Sequence, residues 1–196
     1  MRTADADILI VPGWSSSGQD HWQTRWETSL KTARRVEQAD WLYPDKTAWV
    51  RRIAAEIAAC ERPVILVAHS LGVVAGVHAL SQDGAAKVAG AFLVAPADIE
   101  NANTWPVTQG QTLDPNAGGF SPIPRNRLSC VSALVASAND PYCSLERARM
   151  FAGAWGAKFW EAGEAGHINA ASGHGPWPDG LMQFGWLMRQ IEGTPR

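Results

Sequence analysis

The sequence predicts a single doubly wound α/β domain over residues 1–196, built on a mostly parallel sheet of about six strands. Short uninterrupted apolar runs, typical of parallel strands buried on both faces, alternate with helical patterns. No internal repeat, low-complexity tract or long Ser/Gly linker divides the chain. With 196 residues, 46% of them hydrophobic and 18% charged, the chain has the size and composition of one globular domain.

The N-terminal half begins with an apolar strand that a Pro-Gly pair ends. A helix with tryptophans at i and i+4 follows, then a weaker strand, then an amphipathic helix that stops before a proline. The next apolar run is the clearest strand of the chain, and an Ala-, Val- and Gly-rich helix follows it. In order, these elements are predicted at 8–11, 21–31, 35–38, 46–60, 64–67 and 71–81.

The C-terminal half continues the alternation around one long interruption. An irregular excursion at 101–127 contains four prolines and a Gly-Gly pair, and its length is typical of a functional loop. Ser144 is a suitable N-cap for the helix that begins there. The regular elements of this half are predicted at 89–94 (strand), 131–137 (strand), 144–155 (helix), 158–161 (strand) and 181–191 (helix).

The segment that most clearly indicates a catalytic site is Val67-Ala-His-Ser-Leu-Gly72, where the clearest strand ends and a helix begins. A serine at such a turn projects its hydroxyl over the carboxyl edge of the sheet, and small flanking residues let the strand and helix approach. Ala68 replaces the first glycine of the usual G-x-S-x-G pattern, whereas Gly72 matches the second. On this motif alone, Ser70 fits a nucleophile and an ordinary helix N-cap equally well.

Two residues that follow Ser70 in the sequence are candidates for its catalytic partners. A nucleophilic serine needs a base to take its proton, and the base needs an acid to fix its tautomer. Asp140 and His167 each follow a predicted strand, so both should lie at the sheet edge that carries Ser70. We therefore predict Ser70, His167 and Asp140 as nucleophile, base and acid. Asp98 also follows a strand and stays open as the alternative acid.

The loop after the first strand is predicted to complete an oxyanion hole. The backbone N–H of Leu71, at a helix start, is one donor, and the N–H of Trp14 is the second, with Gly13 permitting close approach. The alternative is a flexible Gly/Ser loop without this role.

Further side chains are predicted to surround the substrate. Gly13, Trp14, His21, Trp22 and His69 are assigned to the substrate site, with His69 pointing away from the serine hydroxyl. A structural hydrogen bond is the alternative for His21, and core packing is the alternative for the tryptophans. Trp177 is a further candidate for an apolar pocket.

Cofactors are not indicated by the remaining motifs. His174 lies close to His167 in sequence, but no Asp or Glu at metal-ligand spacing accompanies the pair, so we expect no metal. His78 lies within a predicted helix and is interpreted as a packing residue. The chain has no P-loop or G-x-G-x-x-G fingerprint, so we expect no nucleotide cofactor.

Composition excludes several classes of partner. The chain has 17 Lys and Arg against 19 Asp and Glu with no basic run, which argues against nucleic acid. No apolar stretch is long enough to cross a membrane, and a protein partner is not indicated. Three cysteines without paired spacing predict a reducing, cytoplasmic location.

Four segments carry a family resemblance: Val11-Pro-Gly-Trp14 with Asp20-His-Trp-Gln23, Val67 to Gly72, Asn139-Asp-Pro-Tyr142, and Ala165-Gly-His-Ile-Asn169. In their order, and over nearly the whole chain, the sequence resembles the small α/β-hydrolases of the retinoblastoma-binding-protein-nine type. The resemblance implies a catalytic triad at Ser70, Asp140 and His167, a six-stranded core without the large lid of lipases, and no cofactor. It leaves the natural substrate open.

These observations predict a metal-independent serine hydrolase that acts on a small-molecule acyl substrate, a carboxylic ester or a short amide, through an acyl-enzyme. Two alternatives remain. One is a protein-interaction module that keeps the fold without using the serine. The other is an acyltransferase that uses the same triad and excludes water.

Overall fold

The computed structural model describes residues 1–82, 85–101, 107–108, 111–112 and 118–193. Within these ranges, six strands form one parallel sheet and two very short strands form a separate antiparallel pair. The strands are β1 (Asp7–Val11), β2 (Ala33–Arg35), β3 (Val64–Ser70), β4 (Val88–Pro96), β5 (Val107–Thr108), β6 (Gln111–Thr112), β7 (Val131–Ala136) and β8 (Lys158–Glu161). The order in the main sheet is β2-β1-β3-β4-β7-β8.

Helices cover both faces of this sheet. They are α1 (Trp22–Ser29), α2 (Lys46–Ala59), α3 (Leu71–Leu80), α4 (Leu145–Trp155) and α5 (Pro178–Gly193). Helices α2, α3 and α4 pack into one apolar cluster, and α1 and α5 pack into a second cluster on the opposite face. The predicted single-domain, doubly wound α/β fold is therefore confirmed, with all six strands of the main sheet parallel.

The central strands consist mostly of apolar residues because they are buried on both faces. In β1, Leu9 and Val11 belong to the cluster of α2, α3 and α4, whereas Ile8 and Ile10 belong to the cluster of α1 and α5. Successive side chains of a strand point to opposite faces, so a strand between two helical layers needs apolar residues at every position.

The edge strand was predicted at the wrong residues. The sequence pattern favours 35–38, whereas β2 is Ala33–Arg35 and pairs with β1 from Ile8 to Ile10. All three β2 side chains are only half-buried, so no apolar run marks the strand. The other predicted elements are present with small shifts at their ends, and the side chain of Ser144 caps α4 by accepting the N–H of Arg147. The predicted excursion at 101–127 lies partly outside the described residues.

The strand order reverses beside β1. From β1 the chain passes outward to β2, then returns to β3 on the other side of β1. In open α/β sheets, ligands bind at the carboxyl ends of the strands where the strand order reverses. Gly13 follows β1 and Ser70 ends β3, so both lie at this reversal point.

The first turn of α3 approaches the end of β1 so closely that only glycine fits at Gly72. A Cβ there would collide with the carbonyl oxygens of Val11 and Pro12, whereas a Cβ on Gly153 of α4 would meet nothing within 4 Å. We expect Gly72→Ala to lower the free energy of unfolding by about 1–3 kcal/mol through overpacking. Gly153→Ala should raise it by about 0.5–1 kcal/mol because alanine favours helix.

Urea denaturation of both variants measures these changes. Equal stabilisation by the two substitutions would show that α3 can move away from β1 without cost.

Candidate active site

Ser70 stands at a sharply turned position between β3 and α3. Its backbone has φ 58° and ψ −126°, a region that residues other than glycine rarely occupy. Its side chain makes no capping hydrogen bond to α3, although it occupies the N-cap position. Instead, its Oγ lies 2.9 Å from Nε2 of His167. The geometry therefore differs from that of an ordinary N-cap serine.

His167 links Ser70 to a buried carboxylate. Its Nδ1 lies 2.9 Å from each carboxylate oxygen of Asp140. A carboxylate accepts only, so Nδ1–H donates to Asp140 and the free Nε2 can accept the proton of the Ser70 hydroxyl. The side chains of His167 and Asp140 are 8% and 2% exposed. The residues predicted as nucleophile, base and acid thus form one hydrogen-bonded chain.

Side chains tie the loop of Asp140 to the loop of His167. The Asn139 Oδ1 accepts the N–H of Gly166 at 2.7 Å and the hydroxyl of Ser137 at 2.8 Å. The Ser137 hydroxyl in turn accepts the N–H of Ala165 at 2.9 Å. These bonds fix the two loops relative to each other, and with them the separation of the carboxylate and the imidazole.

Asp98, the alternative acid, has a different neighbour. Its Oδ2 lies 3.1 Å from Nε of Arg147, which also pairs with Glu100. Its backbone N–H donates to the carbonyl of Tyr142 at 2.9 Å. Asp98 therefore anchors α4 and the loop that carries Asp140, and the carboxylate that accepts the hydrogen bond of His167 is that of Asp140.

The loop after β1 lies directly against the nucleophile. A Cβ on Gly13 would be 2.7 Å from the Cβ of Ser70, so only glycine allows this approach. The N–H of Ser15 donates to the carbonyl of Trp41, and the N–H of Ser16 donates to the carbonyl of Gly13. These hydrogen bonds hold the loop, and Trp14 lies between Gly13 and the two serines whose N–H groups form them.

Three residues that the sequence assigns to the substrate site, His21, Trp22 and His69, are buried and hydrogen-bonded to other parts of the chain. Trp22 is fully buried, and its indole Nε1–H donates to the carbonyl of Ile168. His69 is buried as well, with its Nε2 2.8 Å from the carbonyl of His167. His21 makes the structural hydrogen bond left open above, because its Nδ1 accepts the N–H of Gln23 and caps α1. Trp177 packs in the core beside Trp22.

Two supporting residues were missed from the sequence. Gln23 is fully buried, and its Nε2 lies 3.2 Å from the carbonyls of both Val11 and Val67, so it bridges the ends of β1 and β3. Tyr142 places its ring edge-on to His167, with centroids 4.5 Å apart. A glutamine between two core tryptophans of an amphipathic helix was the available signal for Gln23. Tyr142 had no comparable signal.

Burial keeps the histidines behind the site neutral. It lowers the pKa of His21 to about 3 and that of His69 well below the usual value, and the neighbouring His167 adds to both effects. His78 bonds to the carbonyl of Phe120 through Nε2, and its pKa is also lowered by burial. The His174 Nδ1 lies 3.3 Å from the hydroxyl of Ser172.

The buried histidines make stability depend on acid. The unfolded chain takes up a proton at His21 near pH 6.5, but the folded chain does so only near pH 3, so stability should fall between these values. Each such group makes the free energy of unfolding fall by about 1.4 kcal/mol for each pH unit of acidification. His21→Asn keeps a side-chain acceptor for the cap of α1. Its free energy of unfolding, measured by urea denaturation between pH 3.5 and 7, should therefore fall less steeply than that of the wild type. Identical slopes for the two proteins would contradict the assignment of His21 as a neutral buried group.

Among the residues that the structure describes, no group of three or more His, Cys, Asp or Glu side chains could hold a metal ion. In the same part of the chain, no helix has the length and apolar character needed to cross a membrane.

The parallel sheet, the turn that carries Ser70 at the end of β3 and the histidine and aspartate loops after later strands define the class as an α/β-hydrolase. The family model described as Serine hydrolase matches residues 8–186. The chain therefore belongs to this serine hydrolase family, and the predicted membership of a small serine hydrolase family in the α/β-hydrolase superfamily is confirmed. No functionally curated protein matches the chain.

Solved structures agree with this assignment. A protein described as a YdeN-like hydrolase from Pectobacterium atrosepticum is 34% identical, with a TM-score of 0.81 over 96% of this chain and 94% of that one. The ydeN gene product of B. subtilis is 18% identical and shares the fold, with a TM-score of 0.71 over 93% of this chain and 98% of that one. Est1E from Butyrivibrio proteoclasticus, solved with ferulic acid bound, has a TM-score of 0.66 at 10% identity over 90% of this chain and 88% of that one.

Proposed function

We propose that this serine hydrolase cleaves small carboxylic esters, and short amides more slowly, through an acyl-enzyme on Ser70. The observation that carries the proposal is the hydrogen-bonded chain from the Ser70 hydroxyl through both nitrogens of His167 to Asp140, with 2.9 Å at each link. These lengths are within the range for proton transfer between a nucleophile and its base.

In the proposed first half-reaction, the Ser70 oxygen attacks the carbonyl carbon of the ester while His167 takes the hydroxyl proton at Nε2. Asp140 holds Nδ1–H and stabilises the imidazolium that forms. The imidazolium then protonates the leaving alkoxide, which departs as the alcohol. In the second half-reaction, His167 removes a proton from water, water attacks the acyl-enzyme, and the carboxylic acid leaves as Ser70 regains its proton.

The oxyanion that forms in each half-reaction needs preorganised donors. We assign this role to the N–H of Leu71 and the N–H of Trp14. Leu71 begins α3, where the first N–H groups lack partners within the helix. Gly13 lies tightly against Ser70, and Trp14 is the next residue of the chain, which supports its backbone N–H as the second donor. Two such donors are worth several kcal/mol in the transition state.

An exposed apolar surface beside this loop supports an apolar acyl or alcohol group in the substrate. The indole N–H of Trp14 donates to the carbonyl of Leu42, and Asp40 accepts the N–H groups of Leu42 and Tyr43. The side chains of Leu42 and Tyr43 nevertheless remain 37% and 66% exposed. The loop is thus ordered while it presents apolar groups to solvent, an arrangement that favours contact with an apolar ligand.

The experiment that tests this function combines fluorophosphonate labelling with ester hydrolysis. Intact-mass analysis should show one adduct on the wild-type chain and none on Ser70→Ala, and the wild type should turn over short nitrophenyl esters. Absence of both adduct and turnover would refute the proposed function and favour an interaction module. Faster product formation with an added alcohol or amine acceptor would indicate acyl transfer instead.

The apolar surface predicts how rate depends on acyl length. Each methylene that Leu42 shelters should add up to about 0.8 kcal/mol of transition-state binding. We therefore expect Leu42→Ser to flatten the rise of kcat/KM from acetyl to hexanoyl nitrophenyl esters. The matched control is Leu181→Ser, because Leu181 is 45% exposed on α5. Equal slopes in wild type and Leu42→Ser would exclude Leu42 from the substrate site.

A reducing, cytoplasmic location is also proposed. It is supported by Cys60, Cys130 and Cys143, none of which forms a disulfide. Burial raises the pKa of the Cys130 thiol to about 11, which suits an unreactive structural cysteine. Fractionation of the producing cells, with a compartment marker in each fraction, tests the location.

A further inference from the structure

The loop that carries His167 has an unusual backbone. Gly166 and Ile168, on either side of His167, both have positive φ, at 57° and 47°. A β-branched residue such as Ile168 rarely adopts this conformation, and it persists only where surrounding contacts impose it. The position of the imidazole therefore depends on groups that hold this loop from outside.

Two buried rings hold the loop by consecutive carbonyls. The Nε2 of His69 lies 2.8 Å from the carbonyl oxygen of His167. The Nε1–H of Trp22 donates to the next carbonyl, that of Ile168, at 2.9 Å. His69 and Trp22 are 4% and 0% exposed, and Ile168 is fully buried, so water does not supply these bonds.

The first bond fixes the tautomer of His69. A carbonyl oxygen only accepts, so Nε2 of His69 must carry the proton. The ring of His69 also faces the ring of His167, with centroids 4.8 Å apart, and the ring of His21 lies behind it at 4.9 Å. The titratable groups that face His69 are His167, His21 and His174, and burial lowers the pKa of His69 well below the usual value. A neutral His69 donates to the loop without repelling a positive charge on His167.

We infer that His69 and Trp22 are positioning residues for the base: their ring N–H groups hold the carbonyls of residues 167 and 168 and so keep Nε2 of His167 directed at the Ser70 hydroxyl. This inference rests on the proposed function, since it assumes that His167 is the base. Neither ring touches the reacting atoms. Loss of either donor should misplace the imidazole and lower the rate of proton transfer more than it lowers substrate binding.

His69 is tested by two substitutions that differ in the donor. His69→Leu removes the N–H, whereas His69→Gln carries an amide N–H about as far along the side chain as Nε2. We expect His69→Leu to lower kcat by about 10- to 100-fold with KM changed less than about 3-fold. The rate constant for fluorophosphonate labelling should fall in parallel. His69→Gln should restore most of both rates.

Trp22 is tested against a neighbour on the same helix. Trp22→Phe and Trp26→Phe make the same change in one apolar cluster, but only Trp22 donates to the loop of His167, whereas Trp26 stacks on Phe92 and Trp177. We expect Trp22→Phe to lower kcat by about 10-fold or more, and Trp26→Phe to retain kcat per mole of folded protein. Thermal melts of both variants provide the fraction folded. This pair decides the outcome even if His69→Leu does not fold.

The possible results separate this inference from the proposed function. A wild-type protein that neither hydrolyses esters nor labels at Ser70 would overturn the function. An active wild type would overturn the positioning roles if Trp22→Phe and Trp26→Phe have equal kcat. They would also be overturned if His69→Leu and His69→Gln lose stability with unchanged kcat, because packing alone would then explain both residues.

Discussion

Ser70→Ala is expected to lower kcat/KM for a short nitrophenyl ester by about 10⁴- to 10⁶-fold. The substitution removes the oxygen that lies 2.9 Å from Nε2 of His167 and leaves the proposed oxyanion donors in place. Residual turnover should then come from those donors and from substrate binding. Steady-state ester assays at enzyme concentrations high enough to detect the residual rate provide the measurement.

Ser132 provides a matched serine control. Its hydroxyl is buried in β7 and has no hydrogen-bond partner among the residues that the structure describes. Ser132→Ala should therefore retain full activity, with unchanged or slightly higher stability. If Ser70→Ala keeps more than about one-tenth of the wild-type rate while Ser132→Ala is fully active, Ser70 is not the nucleophile.

The backbone of Ser70 connects this prediction to stability. Alanine keeps a Cβ at φ 58°, so Ser70→Ala retains the strain of that position, whereas Ser70→Gly relieves it. We expect the glycine variant to be more stable than the alanine variant by about 1 kcal/mol, even though glycine loses more backbone entropy on folding. Both variants should be inactive. The difference in the free energy of unfolding between these two inactive variants then measures the backbone strain that accompanies presentation of the hydroxyl to His167.

The fold could be predicted because its strongest signals are local. The pattern of apolar residues that marks β3 or α2 lies within one segment of the chain. Strand β3 is buried on both faces and is therefore apolar at most positions, whereas α2 is buried on one face and has apolar residues at helical spacing. Strand β2 could not be placed because an edge strand with half-buried side chains has neither pattern. Its position depends on pairing with β1, which is information from another part of the chain.

The candidate site also combines local signals with long-range contacts. Ser70, Asp140 and His167 could be predicted to lie together because each stands where a strand ends, and parallel strands end at one sheet edge. The structure brings their side chains within hydrogen-bonding distance. The hydrogen bonds that Trp22 and His69 make could not be predicted, because their partners are 146 and 98 residues away in sequence. Sequence patterns show that a tryptophan or histidine is near a site, but only the packed structure shows which carbonyl its ring N–H reaches.

The second large effect on activity is expected from substitution of the aspartate that accepts the hydrogen bond of His167. Asp140→Asn is expected to lower kcat by about 10⁴-fold, because an amide cannot stabilise the imidazolium and can bind the wrong tautomer of His167. Asp98→Asn should leave kcat within about 3-fold and lower the free energy of unfolding by about 1–3 kcal/mol, because it weakens the ion pair with Arg147. Ester assays and urea denaturation on both variants measure the two effects.

Hydrogen bonds through Tyr142 link the two aspartates, so substitutions at Asp98 and Asp140 can be compared directly. The backbone N–H of Asp98 donates to the carbonyl of Tyr142, and the N–H of Tyr142 donates to the carboxylate of Asp140. A substitution of the Asp98 side chain leaves both backbone groups in place, so it perturbs the anchor without removing the carboxylate at His167. A large loss of kcat in Asp98→Asn together with an active Asp140→Asn would therefore assign the acid to the loop after β4. The reverse result assigns it to the loop after β7, where the hydrogen bonds to His167 are found.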